Sequence, residues 1–424
     1  MPVDYDLVIL GGTAYARRAA LQAAGYGARV ALVEPPGLFE QQQRQQYLLK
    51  GLQQLGDTVQ RQALGALFGL SGEGKLDWRA VLNWVEIAAE TQSSHLSVEV
   101  MSANGIDAVL EAPRRLTRKL SVETENRRLK ARGILAAFGK LPTVIEALQS
   151  AHSLPQTISI EGASPEAVAW AFALSHCGIS VELVAEDILR GEDKDVKRLV
   201  RSHLISSGIN IYPNQILTDC TQPALPIDAA HPALELPSFI SLTPNQQLQT
   251  NHHRVFACGS ILGGSANEAL AQYEAEIAVR NALFRPDSSV RYESVPTGCA
   301  QFARVGLTQV QAEKRYGSAM KALVASSAIA DCLEQIRPSP HYCKLVCADN
   351  RLVGVHLIGA EASNLVRLLA LHINKPVGDL SRVVGDGLLE LVGDCVRRSQ
   401  QTQWQHGQWR RDWAENWFNW RRSR

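Results

Sequence analysis

Short unbroken apolar runs separated by glycine-closed helical stretches dominate the first two-thirds of the chain. Residues 6–10 (Asp-Leu-Val-Ile-Leu) form such a run, too short for a helix and without polar alternation, which predicts a parallel strand buried on both faces. Gly11 and Gly12 break it. Alanine-rich residues 16–24 predict a helix, Gly27 ends it, and residues 30–34 predict the next strand, completing a strand–helix–strand unit. The pattern recurs downstream. Residues 157–160 predict a strand, Gly162 a turn, residues 165–177 a helix opened by proline and closed by Gly178, and residues 181–184 a second strand. Two such units predict an α/β protein with two Rossmann-like nucleotide-binding domains.

Between and after them the periodicity predicts a helix over residues 76–90, an alternating strand over 120–124, and buried strands over 134–139 and 255–259, the last followed by a helix over 268–284. From about residue 292 the texture changes. Residues 343–346 and 352–358 alternate as an antiparallel hairpin, and residues 363–373 predict a helix, which together read as a separate α+β domain.

Composition narrows the function classes. A chain of 424 residues suits two or three domains. A net charge of +1 gives no global field for nucleic acid. No run of eighteen apolar residues is present, and the N-terminus enters a strand without a basic or apolar leader, so the expectation is a cytoplasmic protein. All eight cysteines lie at Cys177 or beyond, and none makes a CxxC pair. They read as reduced, mostly buried small hydrophobes, and no metal site is expected. His252 and His253 read as surface residues on opposite faces of an extended segment, and His356 as structural.

The order of these parts resembles the pyridine nucleotide-disulfide oxidoreductases, in particular dihydrolipoamide dehydrogenase, mercuric reductase and glutathione reductase. The likeness covers about residues 4–398 and is carried by the unit from Val8 to Glu34, by Phe302-Ala303-Arg304-Val305-Gly306-Leu307-Thr308, and by Leu352-Val353-Gly354-Val355-His356-Leu357-Ile358-Gly359. It implies an FAD-type domain in two parts (residues 1–150 and 251–290), an NAD(P)-type domain (151–250), a C-terminal dimerisation domain (291–398) that makes a homodimer, and an appended Trp/Arg-rich helix (399–424). The implied cofactors are FAD and NAD(P)H. FAD would lie against Gly11, Gly12, Thr13, Ala16, Glu34, Gly139, Gly259 and Ser260, with Glu34 on the adenosine ribose. The nicotinamide nucleotide would lie against Gly162 and Ser164.

The departures from the family pattern are as informative. Where G-x-G-x-x-G is expected, the register gives Gly11, Thr13 and Ala16, so a side chain stands where the backbone should approach a diphosphate. Gln41 and Gln46 occupy the positions of the redox cysteines, and an amide forms neither a disulfide nor a thiolate. Lys50 matches a lysine placed near the flavin. Glu390 survives from the acid–base dyad, whereas its histidine is missing. No catalytic residue is therefore assigned. Residue by residue, Glu34 also reads as a strand-end cap in solvent, Lys50 as a solvated lysine, and residues 41–46 as a solvated helix.

Trp409, Trp413, Trp417 and Trp420 near the C-terminus share one helical face, flanked by arginines. The stripe reads as packing on the body or the dimer mate, as docking on a protein partner, or as peripheral attachment to an anionic membrane surface. Two functions follow from the sequence. One is a flavoprotein without dithiol chemistry that passes electrons from NAD(P)H to a non-thiol acceptor. The alternative is an inactive pseudoenzyme serving as dimeric scaffold, assembly factor or nucleotide sensor.

Overall fold

The computed structural model describes residues 3–67, 77–139, 143–149, 155–213, 225–226, 241–262, 268–299, 301–327, 341–359, 361–385, 387–406 and 421–422. Trp409, Trp413, Trp417 and Trp420 lie outside them, as do Cys220 and Cys332. The chain divides into two compact units, Met1–Arg190 with Leu204–Arg291, and Gly191–His203 with Tyr292–Arg424.

The first unit opens with β1 (Tyr5–Leu10), α1 (Ala14–Gly25) and β2 (Val30–Val33), the predicted unit within two residues. It continues through α2 (Leu38–Leu67), α3 (Trp78–Ser93), α4 (Val98–Ala103), β3 (Asp107–Val109), β4 (Arg115–Leu116), β5 (Ser121–Glu123), β6 (Arg128–Ala136) and α5 (Thr143–Gln149). Its larger sheet runs β3-β2-β1-β6-β5-β4. Strand β6 serves twice. Its first half pairs antiparallel with β5, and its second half pairs parallel with β1 and with β11 (Val255–Ala257).

Alternation along the parallel strands explains the layering. Leu7, Ile9, Leu32, Leu135 and Phe256 point to the face covered by α1 and α8 (Glu268–Leu283). Val8, Leu10, Val33, Ile134 and Ala257 form the core of the opposite face. Each residue is apolar because both faces are covered, which is why these strands read as continuous runs. A second, fully parallel sheet has the order β10 (Leu225–Pro226), β7 (Thr157–Glu161), β8 (Ser180–Val184), β9 (Asn210–Tyr212), with α6 (Pro165–His176) between β7 and β8.

The second unit takes in residues 191–203, which include most of α7 (Lys194–Ser206). Its sheet is antiparallel throughout, in the order β12 (Thr297–Gly298), β13 (Phe302–Gly306), β16 (Arg351–Ile358), β15 (His341–Ala348), β14 (Met320–Ser327). The predicted hairpin is β15–β16, longer than its alternating core because Cys343, Leu345 and Leu357 face α10 (Ala362–Ala370) and α11 (Leu388–His406), while Val346, Ala348 and Val353 pack toward α9 (Gln309–Tyr316). Thr308 caps α9 in a complete capping box with Gln311. Among the described residues no helix is long and apolar enough to cross a membrane.

Candidate functional site

The turn between β1 and α1 is built as the glycines require, and then filled. Gly12 has φ +117, open only to glycine without strain, and Gly11 lies so near Ala16 that a Cβ on it would meet the Ala16 Cβ at 2.3 Å. Thr13 is the N-cap of α1. Its hydroxyl accepts from the Ala16 N–H at 3.0 Å and donates to the Ala137 carbonyl at 3.2 Å. One of the N–H groups at the N-terminus of α1 is thus taken by the chain's own cap.

Glu34, at the end of β2, is neither in solvent nor free to meet a ribose. It is buried and makes a two-point ion pair with Arg17 of α1, also buried. Arg17 is further tied to the Leu96 carbonyl at 2.8 Å and to Glu40 at 3.4 Å, and its guanidinium stacks 3.6 Å from the Phe39 ring centroid. Burial pushes the Glu34 carboxyl above its ordinary range even though Arg17 pulls the other way.

The remaining residues of the expected flavin route converge on the same place and are covered by side chains. The Tyr15 hydroxyl donates to the Phe138 carbonyl at 2.7 Å, and its ring lies so close to Gly259 (φ +80) that a Cβ there would meet the phenol oxygen at 2.5 Å. A Cβ on Gly139 would meet Gln42 Nε2 at 2.5 Å and Thr13 Cγ2 at 2.6 Å. The Gly259 N–H donates to the buried Glu274 carboxylate at 2.7 Å, and the Ser260 hydroxyl to the Phe138 carbonyl at 3.2 Å. The side chains of Arg17, Thr13, Tyr15 and Gln42 thus stand beside Glu34, Gly139 and Gly259, the residues along which the resemblance would lay FAD. Two cavities border these described residues. One, of about 220 Å³, is lined by Tyr15, Gln46, Gly139, Trp170 and Ser260 among others. The other, of about 500 Å³, is lined by Arg17, Glu40, Arg44 and Ser97 among others, and Gln43 borders both.

The glutamines that stand for cysteines are not a solvated run. Residues 41–46 lie within the thirty-residue helix α2, Gln43 is buried, and the Gln46 amide donates to Glu268. Gln45 Oε1 accepts from the N–H groups of Val144 and Ile145, capping α5 at 3.1 and 3.4 Å. Gln41 is half-buried in the same helix, whereas Lys50 is exposed, its ammonium 4.5 Å from the Tyr47 ring centroid. Glu390 is exposed in the first turn of α11 and belongs to the second unit. At the second nucleotide turn, Gly162 is held by its N–H on the Val184 carbonyl, and the Ser164 hydroxyl caps α6 by accepting from the Ala167 N–H at 3.2 Å. Both threonine and serine at these turns satisfy their own helices.

Among the described residues the thiols form no disulfide, and the one beside this region, Cys258, is buried next to Gly259. Cys258, Cys299, Cys343, Cys347 and Cys395 are buried and free, and Cys177 is half-buried. Burial pushes Cys177 and Cys299 up to about 11 and Cys347 up to about 12, which leaves them as inert thiols. His252 and His253 are not on opposite faces. Their rings stack at 5.1 Å because the chain turns there instead of extending.

Sequence reasoning missed Arg17, Tyr15, Trp170 and Glu274, which do most to shape this region. A signal existed for Arg17: it interrupts the alanine face Ala16, Ala19, Ala20, Ala23 that α1 buries, and a buried arginine needs a carboxylate. Tyr15 carried none, because its role depends on strands far away in sequence.

Comparison with known proteins gives this geometry a lineage. Residues 295–378 match the dimerisation domain of the pyridine nucleotide-disulphide oxidoreductases, which supports a homodimer. Over nearly the whole chain it is similar to a glutathione reductase of Nostoc sp. (20% identity, 88% of this chain and 94% of the relative). It is also similar to a mercuric reductase of Lysinibacillus sphaericus (20%, 92% and 81%) and a dihydrolipoyl dehydrogenase of Bacillus subtilis (23%, 86% and 91%). The match to the dimerisation domain and the weak likeness to these three reductases over most of the chain support a relationship to the pyridine nucleotide-disulphide oxidoreductases.

Proposed function

We propose that this chain is a homodimeric member of the family that has given up both dithiol chemistry and the family's seat for FAD, and that the fold acts as a non-catalytic sensor of a small ligand. The observation that carries this reading is the buried Arg17–Glu34 pair, which occupies the carboxylate expected to hold the adenosine ribose. The filled turn at Thr13, Tyr15 and Gln42 supports it, as do amides at Gln41 and Gln46 and the absence of cysteine before residue 177. In this reading the larger sheet of the first unit descends from an FAD-type domain and the smaller from an NAD(P)-type domain. Residues 291–398 make the dimer contact. Ser164 at the second turn caps its helix and binds no nicotinamide nucleotide.

The test is uptake of flavin by the full chain. Purified without added cofactor it is expected to be colourless. After incubation with excess FAD and gel filtration, no flavin absorbance should travel with the protein. Stoichiometric flavin would instead establish the rival reading, an oxidoreductase passing electrons from NAD(P)H to a non-thiol acceptor. Reduction of a disulfide or of Hg(II) by the chain would contradict both.

A further inference from the structure

We propose that the larger cavity, between α2 and α3, is a binding site for a linear organic polycation, a diamine or polyamine whose ammonium groups are separated by methylene chains. The proposal names the ligand class of the sensor described above and rests on that reading, since it takes the Arg17–Glu34 pair as a lasting part of the wall.

Helix periodicity builds the cavity. On α2, Phe39, Glu40, Gln43 and Arg44 recur at three- and four-residue spacing and share one face. On α3, Glu86, Ala89, Glu90 and Ser93 do the same. Residues 94 and 97–99 close another side, and Arg17 of α1 completes the wall. The volume of about 500 Å³ falls within the roughly 300–1,000 Å³ of small-molecule sites.

A ligand is indicated by Gln43. It is 8% exposed, and its side chain has no hydrogen-bond partner among the described residues. Its amide is not sealed off as the Trp170 indole nitrogen is, and it borders the cavity. Buried amides are almost always paired, and the Gln43 carbonyl oxygen is free to accept from an ammonium N–H.

Charge selects a cation. Four carboxylates line the wall, Glu40, Glu86, Glu90 and Glu99, against two guanidinium groups. Both guanidinium groups are engaged, Arg17 with Glu34 and the Leu96 carbonyl, and Arg44 with Glu86. Glu90 has no partner among the described residues, and the Ser97 hydroxyl beside Glu99 holds that carboxyl below its ordinary range. Ser93 and Ser94 donate to the Ala89 and Thr91 carbonyls, which leaves their oxygens as acceptors. The chain's net charge of +1 supplies no general attraction for cations. A single metal ion does not suit the wall, because among the described residues no three acidic, histidine or cysteine side chains come together to hold one. Carboxylates set apart around a cavity suit ammonium groups set apart on a chain, with the methylenes against Phe39, Ala89 and Val98.

The test is isothermal titration of the full-length chain with spermidine at low ionic strength, with Mg²⁺ as a compact-cation control. Spermidine is expected to bind with a Kd below about 1 mM and at least about tenfold more tightly than Mg²⁺. The affinity should fall as salt is raised. Glu90→Gln, at an exposed side chain, should weaken spermidine about three- to tenfold. Gln43→Met keeps the bulk and removes the acceptor. It should weaken spermidine about three- to tenfold without lowering the melting temperature, since an unpaired amide contributes no hydrogen bond to the fold. No heat from spermidine, Mg²⁺ bound as tightly as spermidine, or unchanged affinity in Glu90→Gln or in Gln43→Met would each overturn the proposal. An FAD titration run alongside separates the two levels. FAD uptake overturns the function proposed above and this site with it, whereas absence of both FAD uptake and spermidine binding overturns this site alone.

Discussion

The first unit buries a carboxylate against one cation, Glu34 against Arg17, while the second sets a row of partly and fully buried carboxylates against several. In the second unit Arg304, His356 and Lys344 stand at matching register across β13, β16 and β15. They face Glu192, Asp193 and Asp195 in the segment leading into α7. Lys344 Nζ lies 3.0 Å from Asp193 and 3.0 Å from Asp195, Arg304 Nε 2.8 Å from Glu192, and the buried His356 ring 3.5 Å from Glu192 and 3.7 Å from Asp193. The Gln309 N–H and the Tyr342 hydroxyl donate to Asp193 and Asp195 at 2.9 and 2.5 Å. Desolvation acts on all of these carboxyls and would push them up. In the second unit hydrogen bonds and nearby cations overcome it and hold Glu192, Asp193 and Asp195 below the ordinary range. In the first unit desolvation wins at Glu34. A single ion pair closes a site, but several charge partners with N–H and O–H donors are needed to make buried charge stabilising.

The comparison can be broken most forcefully at Lys344. Lys344→Met strands Asp193 in the interior and is expected to destabilise the protein by about 3–5 kcal/mol, read as a shift of the urea midpoint at pH 7. A loss under about 1 kcal/mol would mean that the row is no more than a surface network. Arg17→Met should cost less, about 1–3 kcal/mol, because burial already raises the Glu34 carboxyl, which can take up a proton once its cation is gone. Replacing both partners, Arg17→Met with Glu34→Leu, should come within about 1 kcal/mol of the parent or exceed it in stability. A double variant as damaged as Arg17→Met alone would contradict a role as mere filling.

Helix caps give the next effect. Thr308→Ala and Thr13→Ala should each cost about 1 kcal/mol. An equal cost at the two sites would sharpen the view that Thr13 has become a cap like any other, and a clearly stabilising Thr13→Ala would argue that the turn is kept strained for a ligand.

The smallest signals are in pH dependence, and the two units differ in sign. A carboxyl raised on folding, as Glu34 is, contributes stability that is full below its unfolded value and lost as pH rises through the folded one. Carboxyls lowered on folding, as Glu192, Asp193 and Asp195 are, contribute stability that is full above their unfolded values and lost as pH falls through the folded ones. Stability profiles should therefore show Glu34→Gln flattening the decline on the side above the ordinary carboxyl range, and Asp193→Asn removing part of the acid-side loss. Identical pH profiles for the two variants would refute the distinction.

Much of the architecture was legible along the chain. The runs at 6–10, 30–34 and 157–160 found β1, β2 and β7, because strands covered on both faces leave no polar position to blur the pattern. Long β6 was read only in its last third, since residues 128–133 alternate where β5 covers one edge and solvent one face. The site was less legible. The substitutions at Thr13, Ala16, Gln41 and Gln46 were visible at once. What they accomplish was not, because Thr13 acts through Ala137, Tyr15 through Phe138 and Gly259, and Gln45 through residues 144 and 145, all distant in sequence.

Sequence alone determined the strand–helix–strand units, the order of the parts, and the absence of cysteine before residue 177, since these depend on local periodicity and residue identity. Only the tertiary structure decided that Glu34 is locked by Arg17 and that Tyr15 covers Gly259. Those outcomes depend on which side chains reach the same few ångströms once strands far apart in the chain are paired, and hydrophobic spacing carries no record of that convergence.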